Sequence, residues 1–276
     1  SSMLKISKKY LSDIRGKNLS ISAKSFRSLI DKGFKQDFSG VTIGVKGARN
    51  RLPIIINVDA AFCRLLGLFI AEGDFNREVV RITNANEEIR KDIAKTLFCL
   101  GLPATFTDTT IVVNSYIFKR VLEKVFGLET GAFNKKVPRF LFSGSNAQAC
   151  GFLKGYFSGD GSISRSERRY VIEASTVSVE LANDLLYLLL KLGIVASHGE
   201  KKEWSGSTSH RIQIFGVDNF RKFLSIGFID SRRDSLVSKY IGEKAWSRSN
   251  TIPINDKIQN ALTQAFGSYP KNASIG

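Results

Sequence analysis

The sequence predicts an α+β protein: two pseudo-symmetric αββαββα subdomains, each with a short antiparallel sheet, joined by two apolar helices. Three observations lead there. First, Leu65-Leu66-Gly67-Leu68-Phe69-Ile70-Ala71-Glu72-Gly73 recurs as Leu153-Lys154-Gly155-Tyr156-Phe157-Ser158-Gly159-Asp160-Gly161. Gly67, Glu72 and Gly73 match Gly155, Asp160 and Gly161 at an offset of 88. Second, Asp92, Leu97 and Gly101 match Asp184, Leu189 and Gly193 at an offset of 92, and Phe126-Gly127 matches Ile226-Gly227. An ordered series of this length means duplication, and the change of offset places an insertion around Ser164–Glu167. Third, strand and helix periodicities follow one another in the same order in both copies.

The elements follow in chain order. Residues 1–60 carry twelve basic against four acidic residues and form a basic N-terminal extension or DNA-binding arm. Within it Ser20–Phe34 reads as a basic helix and Gly40–Gly47 as a strand-like turn region. The first subdomain, 61–142, opens with the apolar helix ending at Glu72-Gly73. Alternating strands follow at Arg77–Thr83 and Ile111–Asn114, with an amphipathic helix Glu87–Leu100 between them. Gly101 closes that helix as C-cap, and a second helix lies near Ile117–Val125. The second subdomain, 143–240, repeats the plan with strands Arg169–Ser175 and His210–Phe215, helix Val179–Leu192 closed by Gly193, and a helix near Asn219–Leu224. The tail, 241–276, holds helix-like Asp256–Phe266 and little else.

Composition narrows the function classes. Hydrophobic residues make up 43% and aromatics 11%, which marks a globular chain. Apolar runs such as Leu185–Leu190 and Leu65–Ala71 are too short to span a bilayer. No opening stretch resembles a signal peptide, and Ser1-Ser2 before Met3 looks like a cloning remnant, so an intracellular, cytoplasmic protein is expected. Cys63, Cys99 and Cys150 lack CxxC spacing, sit among apolar neighbours and read as small buried hydrophobes. With His198 and His210 as the two histidines, neither a zinc site nor a His-based triad is expected. A P-loop hydrolase is excluded because GxxxxGK[ST] is absent. Lys and Arg outnumber Asp and Glu 41 to 25, giving net charge +16 and a pI near 9.8. A surplus of that size concentrates polyanions, of which nucleic acids are the commonest.

The two nine-residue segments resemble the LAGLIDADG motif of homing endonucleases, and a pair in one chain is similar to the monomeric, pseudo-symmetric members. Val137-Pro138-Arg139-Phe140-Leu141 ahead of the second motif resembles the archaeal intron- and intein-encoded ones. The similarity covers roughly Val58 to Tyr240. The resemblance implies a site-specific DNA endonuclease that leaves 5′-phosphates and short 3′ overhangs. Its fold implies a β-saddle over the DNA and a long, weakly symmetric duplex target bound by a monomer, with no membrane involved. Glycine belongs at Gly67 and Gly155 because two helix backbones must approach there. Glu72 and Asp160 then face each other beneath the DNA, one per scissile phosphate. Paired carboxylates repel, and a divalent metal relieves the repulsion; hard oxygen ligands favour Mg²⁺, with Mn²⁺ an alternative and Ca²⁺ supporting binding without cleavage. The implied metal set is Glu72 and Asp160 with Ala71 and Gly159. Such a dication lowers the pKa of an attacking water and stabilises an in-line displacement at phosphorus. Glu72 stands where the family name has Asp, which leaves room for unequal cutting of the two strands.

Family sites often add a basic residue. In the first copy its place falls at Lys135, next to Lys136; in the second, Arg232 and Arg233 stand where a lysine is typical. Arginine holds phosphate but cannot act as a base. Strand alternation sets Arg77, Arg81 and Thr83 opposite Val80 and Ile82, and Arg211 and Gln213 opposite Ile212 and Ile214. A sheet face of that kind reads the major groove, Arg suiting G and Gln suiting A. Arg165, Arg168, Arg169, Lys201, Lys202 and Trp204 are expected to grip the backbone or flanking bases. The rival is a protein of the same fold that binds nucleic acid without cutting, such as an RNA maturase or transcription regulator. Degenerate relatives often lose one or both acids, and this chain keeps both. Self-splicing needs a terminal His-Asn pair; Asn272-Ala273-Ser274-Ile275-Gly276 offers none, so splicing is not expected.

Overall fold

The computed structural model describes residues 22–31, 40–45, 50–166, 169–202, 206–243 and 264. The helix expected at Asp256–Phe266, Arg168, Trp204, the side chain of Arg169 and most of the N-terminal extension lie outside the described residues. Within that extension, helix α1 spans Ala23–Asp31, and a small hairpin pairs β1 (Thr42–Ile43) with β2 (Leu52–Pro53).

The first half begins with α2 (Ala60–Glu72), started by Asp59, whose carboxylate accepts the Phe62 N–H at 2.9 Å. The helix is apolar on almost every side and nearly all of it is buried, as expected of a central element. It runs directly into β3 (Gly73–Asn76), which turns into β4 (Val79–Thr83). Helix α3 (Glu87–Cys99), strands β5 (Thr105–Phe106) and β6 (Thr110–Asn114), and α4 (Tyr116–Lys124) complete the half. After a short helix α5 (Phe140–Ser143), the second half repeats the plan. It runs through α6 (Asn146–Asp160), β7 (Gly161–Ser166), β8 (Arg169–Thr176), α7 (Val179–Lys191), β9 (Ala196–Lys202), β10 (Thr208–Ile214) and α8 (Val217–Phe223). A capping box of Ser145 and Gln148 starts α6. A last helix, α9 (Ser231–Glu243), was not foreseen in the sequence.

Both four-stranded sheets are antiparallel and share one strand order, β3-β4-β6-β5 and β7-β8-β10-β9. The duplication read from the offsets is therefore present in the fold. The four-residue change of offset falls in the first hairpin, where β7 and β8 have six and eight residues against four and five in β3 and β4. Gly101, Gly127, Gly193 and Gly227 all adopt positive φ, the left-handed turn that ends a helix without a Cβ penalty. One hydrophobic core runs through both halves, from Ile82, Ile93 and Leu97 through α2 and α6 to Leu185, Leu189 and Phe220.

Two expectations are corrected. Arg77 is not on the strand face beside Arg81: it sits in the β3–β4 turn with φ +53°, and the strand begins at Val79. Cys63 is buried but Cys99 is exposed, because the core stripe of α3 is Ile89, Ile93, Thr96 and Leu97 and position 99 falls off it. Burial and the nearby Asp59 push the Cys63 thiol up to about 12, which keeps it protonated and inert.

Candidate active site and nucleic-acid interface

The site is made by two helices packed closer than side chains allow. A Cβ on Gly67 would strike the Phe152 carbonyl of α6, and one on Gly155 would strike the Arg64 carbonyl of α2. Gly151 meets the Ala60 carbonyl in the same way, and Gly159 meets the Ala71 methyl. Glycine at i, i+4 and i+8 on α6 thus forms a smooth track along α2. The track brings the two C-termini side by side: a Cβ on Gly159 would lie 3.0 Å from Glu72 Cγ.

Each helix ends in its carboxylate. Desolvation raises the Glu72 pKa, opposed by Lys135 and by the Asn84 amide, which donates to Glu72 Oε1 at 3.4 Å. Asp160 is crowded on its helix side yet open to solvent on the other. Desolvation first, with Glu72 adding and Lys135 opposing, pushes it up to about 7. The pair therefore holds more negative charge than its surroundings stabilise, a property of sites that take up a cation.

Two basic residues flank the acids in unequal ways. Lys135 Nζ donates to the Ala71 carbonyl at 2.9 Å, in the last turn of α2, and its charge acts on both carboxylates. Arg233, on α9, donates to the Ser158 carbonyl in the last turn of α6 at 2.6 Å and to the Gly161 carbonyl just past its end at 2.8 Å. It also lies over the Phe228 ring at 4.9 Å and 3.4 Å from the Asp230 carboxylate. Burial lowers its pKa, against Asp230. Arg233 is committed to protein carbonyls, whereas Arg232 beside it is exposed. Lys136 pairs with Glu129 at 2.9 Å.

The loops bearing these residues are braced by the opposite half. Ser178, the N-cap of α7, donates to the Lys135 carbonyl at 2.7 Å, and Asp184 accepts the Val137 N–H at 3.0 Å. In the matching place Asn86, the N-cap of α3, donates to Asp230 at 3.1 Å, and Glu88 accepts from Ser231. Each half thus holds the other half's basic arm in position.

On the sheets, Val80 and Ile82 face the core while Arg81 and Thr83 face out; Ile212 and Ile214 are buried while Arg211 and Gln213 are half-open. Arg81 pairs through two nitrogens with Asp74 directly across the hairpin, with Nε to Oδ1 at 2.7 Å. Gln213 donates to Glu173, which also lies 3.9 Å from Arg211. Arg165 is exposed, 5.6 Å from the Tyr170 ring. Lys201 and Lys202 are exposed at the end of β9.

With this geometry in hand, residues 147–226 match the LAGLIDADG-like domain family. That stretch contains α6 with Asp160 and the second sheet. Among curated proteins, an uncharacterized protein of Methanocaldococcus jannaschii is 29% identical over 239 residues, 80% of this chain and 26% of that protein. The replication factor C small subunit of the same organism is 32% identical over 180 residues, 61% of this chain and 9% of that protein. A DNA polymerase of Thermococcus kodakarensis is 27% identical over 155 residues, 53% of this chain and 9% of the polymerase. The chain spans about a quarter or less of the length of these relatives. Among solved structures, full-length DUF199/WhiA from Thermatoga maritima has a TM-score of 0.48 at 14% identity, covering 76% of this chain and 67% of that one. I-DmoI in complex with DNA and Mn has a TM-score of 0.42 at 17% identity, covering 61% and 96%.

Several residues around the two paired helices carry no signal as strong as the repeated motif. Gly151 carried a readable signal, the four-residue spacing to Gly155 and Gly159. Asp74 was readable from the register of a tight hairpin, since it falls opposite Arg81. Asn86 and Ser178 show only as helix caps in sequence, and Asp230 carries no signal at all; the partners lie 43 to 144 residues away.

Proposed function

We propose that this chain is a monomeric, site-specific, double-strand DNA endonuclease of the LAGLIDADG homing type, in which residues 61–142 and 143–240 each supply one acid. The observation that carries the reading is the pair Glu72 and Asp160, set side by side at the ends of two glycine-packed helices. Nothing in packing requires a carboxylate at those two places, and both carry raised pKa values.

The donor set suits a hard dication. Glu72 and Asp160 would hold it, with Ala71 and Gly159 as neighbouring backbone donors, although the Ala71 oxygen already accepts from Lys135. When bound, Mg²⁺ or Mn²⁺ supplies Lewis acidity toward a phosphate oxygen and makes water a better nucleophile. The chain's own residues do the rest. Lys135 places a positive charge that acts on both carboxylates and offers its ammonium to a phosphate oxygen arriving there. Arg233 fixes the last turn of α6, and so the direction of Asp160. Arg81, Thr83, Arg211 and Gln213 present donors and acceptors to base edges, with Asp74 and Glu173 orienting them. Arg165, Lys201, Lys202 and Arg232 supply exposed cations for phosphates.

An origin as an inserted element has separate support. A segment covering 26% of one relative and 9% of a replication factor and of a DNA polymerase does not follow the activity in their names. That pattern suits an intron- or intein-type insertion. The direct test is Asp160→Asn: Mg²⁺-dependent cutting of a duplex substrate is lost while duplex binding persists in a gel-shift assay. Undiminished cutting by that variant contradicts the mechanism.

A further inference from the structure

The chain's two histidines, His198 and His210, stand twelve residues apart in sequence, and the β9–β10 register brings them together. His210 lies directly opposite Glu200, and His198 is two pairs further along, opposite Ile212. Strand alternation puts all three side chains on one face, the face whose inner end carries Ile212 and Ile214. His198 Nε2 is 3.1 Å from His210 Nδ1, and Glu200 Oε1 is 3.6 Å from the same nitrogen. The three donor atoms lie within 4.8 Å of one another. His210 is buried, while His198 and Glu200 are exposed, leaving the cluster anchored at its base and open to solvent at its rim.

A tetrahedral Zn²⁺ with bonds of about 2.0–2.1 Å has ligand-to-ligand edges of roughly 3.3 Å. The two shorter separations here bracket that value. The donor set is also the right kind. Imidazole nitrogens with one carboxylate select borderline transition ions over Mg²⁺ or Ca²⁺, and three protein ligands leave a fourth position for water. Glu72 and Asp160, by contrast, offer oxygen alone.

We propose that His198, Glu200 and His210 form a second metal site, for a transition-metal dication such as Zn²⁺, separate from the carboxylate pair. The site runs against the expectation from the histidine count alone, which does not foresee Glu200 completing the set. Its place in the fold gives it a role. It joins β9 to β10 near the end of a hairpin whose other face carries Arg211 and Gln213 and whose tip follows Lys201 and Lys202. A bound ion staples an edge strand that has little apolar surface of its own, and so fixes the cations on it.

The test uses the full chain carrying Glu72→Gln and Asp160→Asn, so that the central carboxylates do not compete. Zn²⁺ is titrated by calorimetry, and Co²⁺ is added as a spectroscopic probe. The expected result is one equivalent bound at micromolar affinity, a tetrahedral Co²⁺ d–d spectrum, and a rise in melting temperature with Zn²⁺. Adding His198→Ala or Glu200→Gln, both exposed and so harmless to the fold, weakens binding by at least about tenfold, or 1.4 kcal/mol. Circular dichroism confirms that these variants remain folded. Three results overturn the site: no uptake at micromolar zinc, unchanged uptake in His198→Ala, or a cobalt–thiolate charge-transfer band placing the ion on a cysteine.

Discussion

Asp160 shows at the residue scale why the site asks for a cation. Its pKa, near 7 in the fold against 3.8 for the free side chain, means the folded chain binds a proton there between about pH 4 and 7 that the unfolded chain has released. The stability tied to that proton is fully present below about 4 and is lost as the pH rises through 7. In the metal-free protein at pH 8, Asp160→Asn therefore raises the melting temperature. Solvent screens a carboxylate this open, so the gain is about 2 °C, the effect of roughly 1 kcal/mol on a chain of this size. At pH 5 the difference shrinks. Metal uptake runs the other way: proton and cation compete, so Mg²⁺ affinity falls as pH drops below about 7, which a calorimetric titration at pH 6 and 8 reads out. The two basic residues also separate. Truncating Arg233 leaves buried Asp230 with Asn86 and two backbone N–H groups but no cation, and unties the end of α6. Arg233→Met is expected to lower stability by about 3 kcal/mol in urea unfolding. Lys135→Met, which leaves one lone carbonyl, slows cleavage with a much smaller stability loss.

Among elements, the crossing of α2 and α6 leaves least freedom. Gly155→Ala drives a methyl into the Arg64 carbonyl, and backbone on both sides has no room to yield. A loss of about 1–3 kcal/mol is expected, together with a drop in cleavage larger than the drop in duplex binding, since the acids move apart while the sheet faces stay. Gly101→Ala is the control: it meets open space, and its cost of roughly 1 kcal/mol comes from φ alone and leaves cleavage intact. Sequence legibility follows the same physics. Helices α2, α3, α6 and α7 and strands β4, β6, β8 and β10 were readable because each shows a buried stripe or alternation. Strand β5, two exposed residues, and β9, Ala-Ser-His-Gly-Glu-Lys-Lys, bury little and carry no such pattern. They are strands because β6 and β10 offer them a free edge. Helix α9 is polar along most of its length and gives little hydrophobic stripe in the sequence, and Arg233, in its first turn, faces inward.

For the whole molecule, the two halves are alike in topology and unlike in chemistry. The duplication made the paired acids visible from sequence. The bracing of Lys135 by Ser178 and of Asp230 by Asn86 was not visible, because it joins residues of different halves. The end of α2 is held by Lys135 and the end of α6 by Arg233, so under the proposed nuclease reading single-turnover assays with each strand labelled separately should resolve two unequal rates and a nicked intermediate. With a net charge of +16, binding to duplex should weaken steeply with salt; six phosphate contacts imply a log–log slope of about −5.

The most direct measurement of the central claim, that two juxtaposed carboxylates make this chain a double-strand nuclease, is a cleavage screen of a randomised duplex library with Mg²⁺. It is run with the unaltered chain and with Asp160→Asn. The account predicts 5′-phosphorylated fragments with short 3′ overhangs, enriched for one long sequence, from the unaltered chain, and none from the variant at equal binding. Sequence-specific retention of duplex without any cutting by the unaltered chain would contradict it and leave a LAGLIDADG-like binding protein.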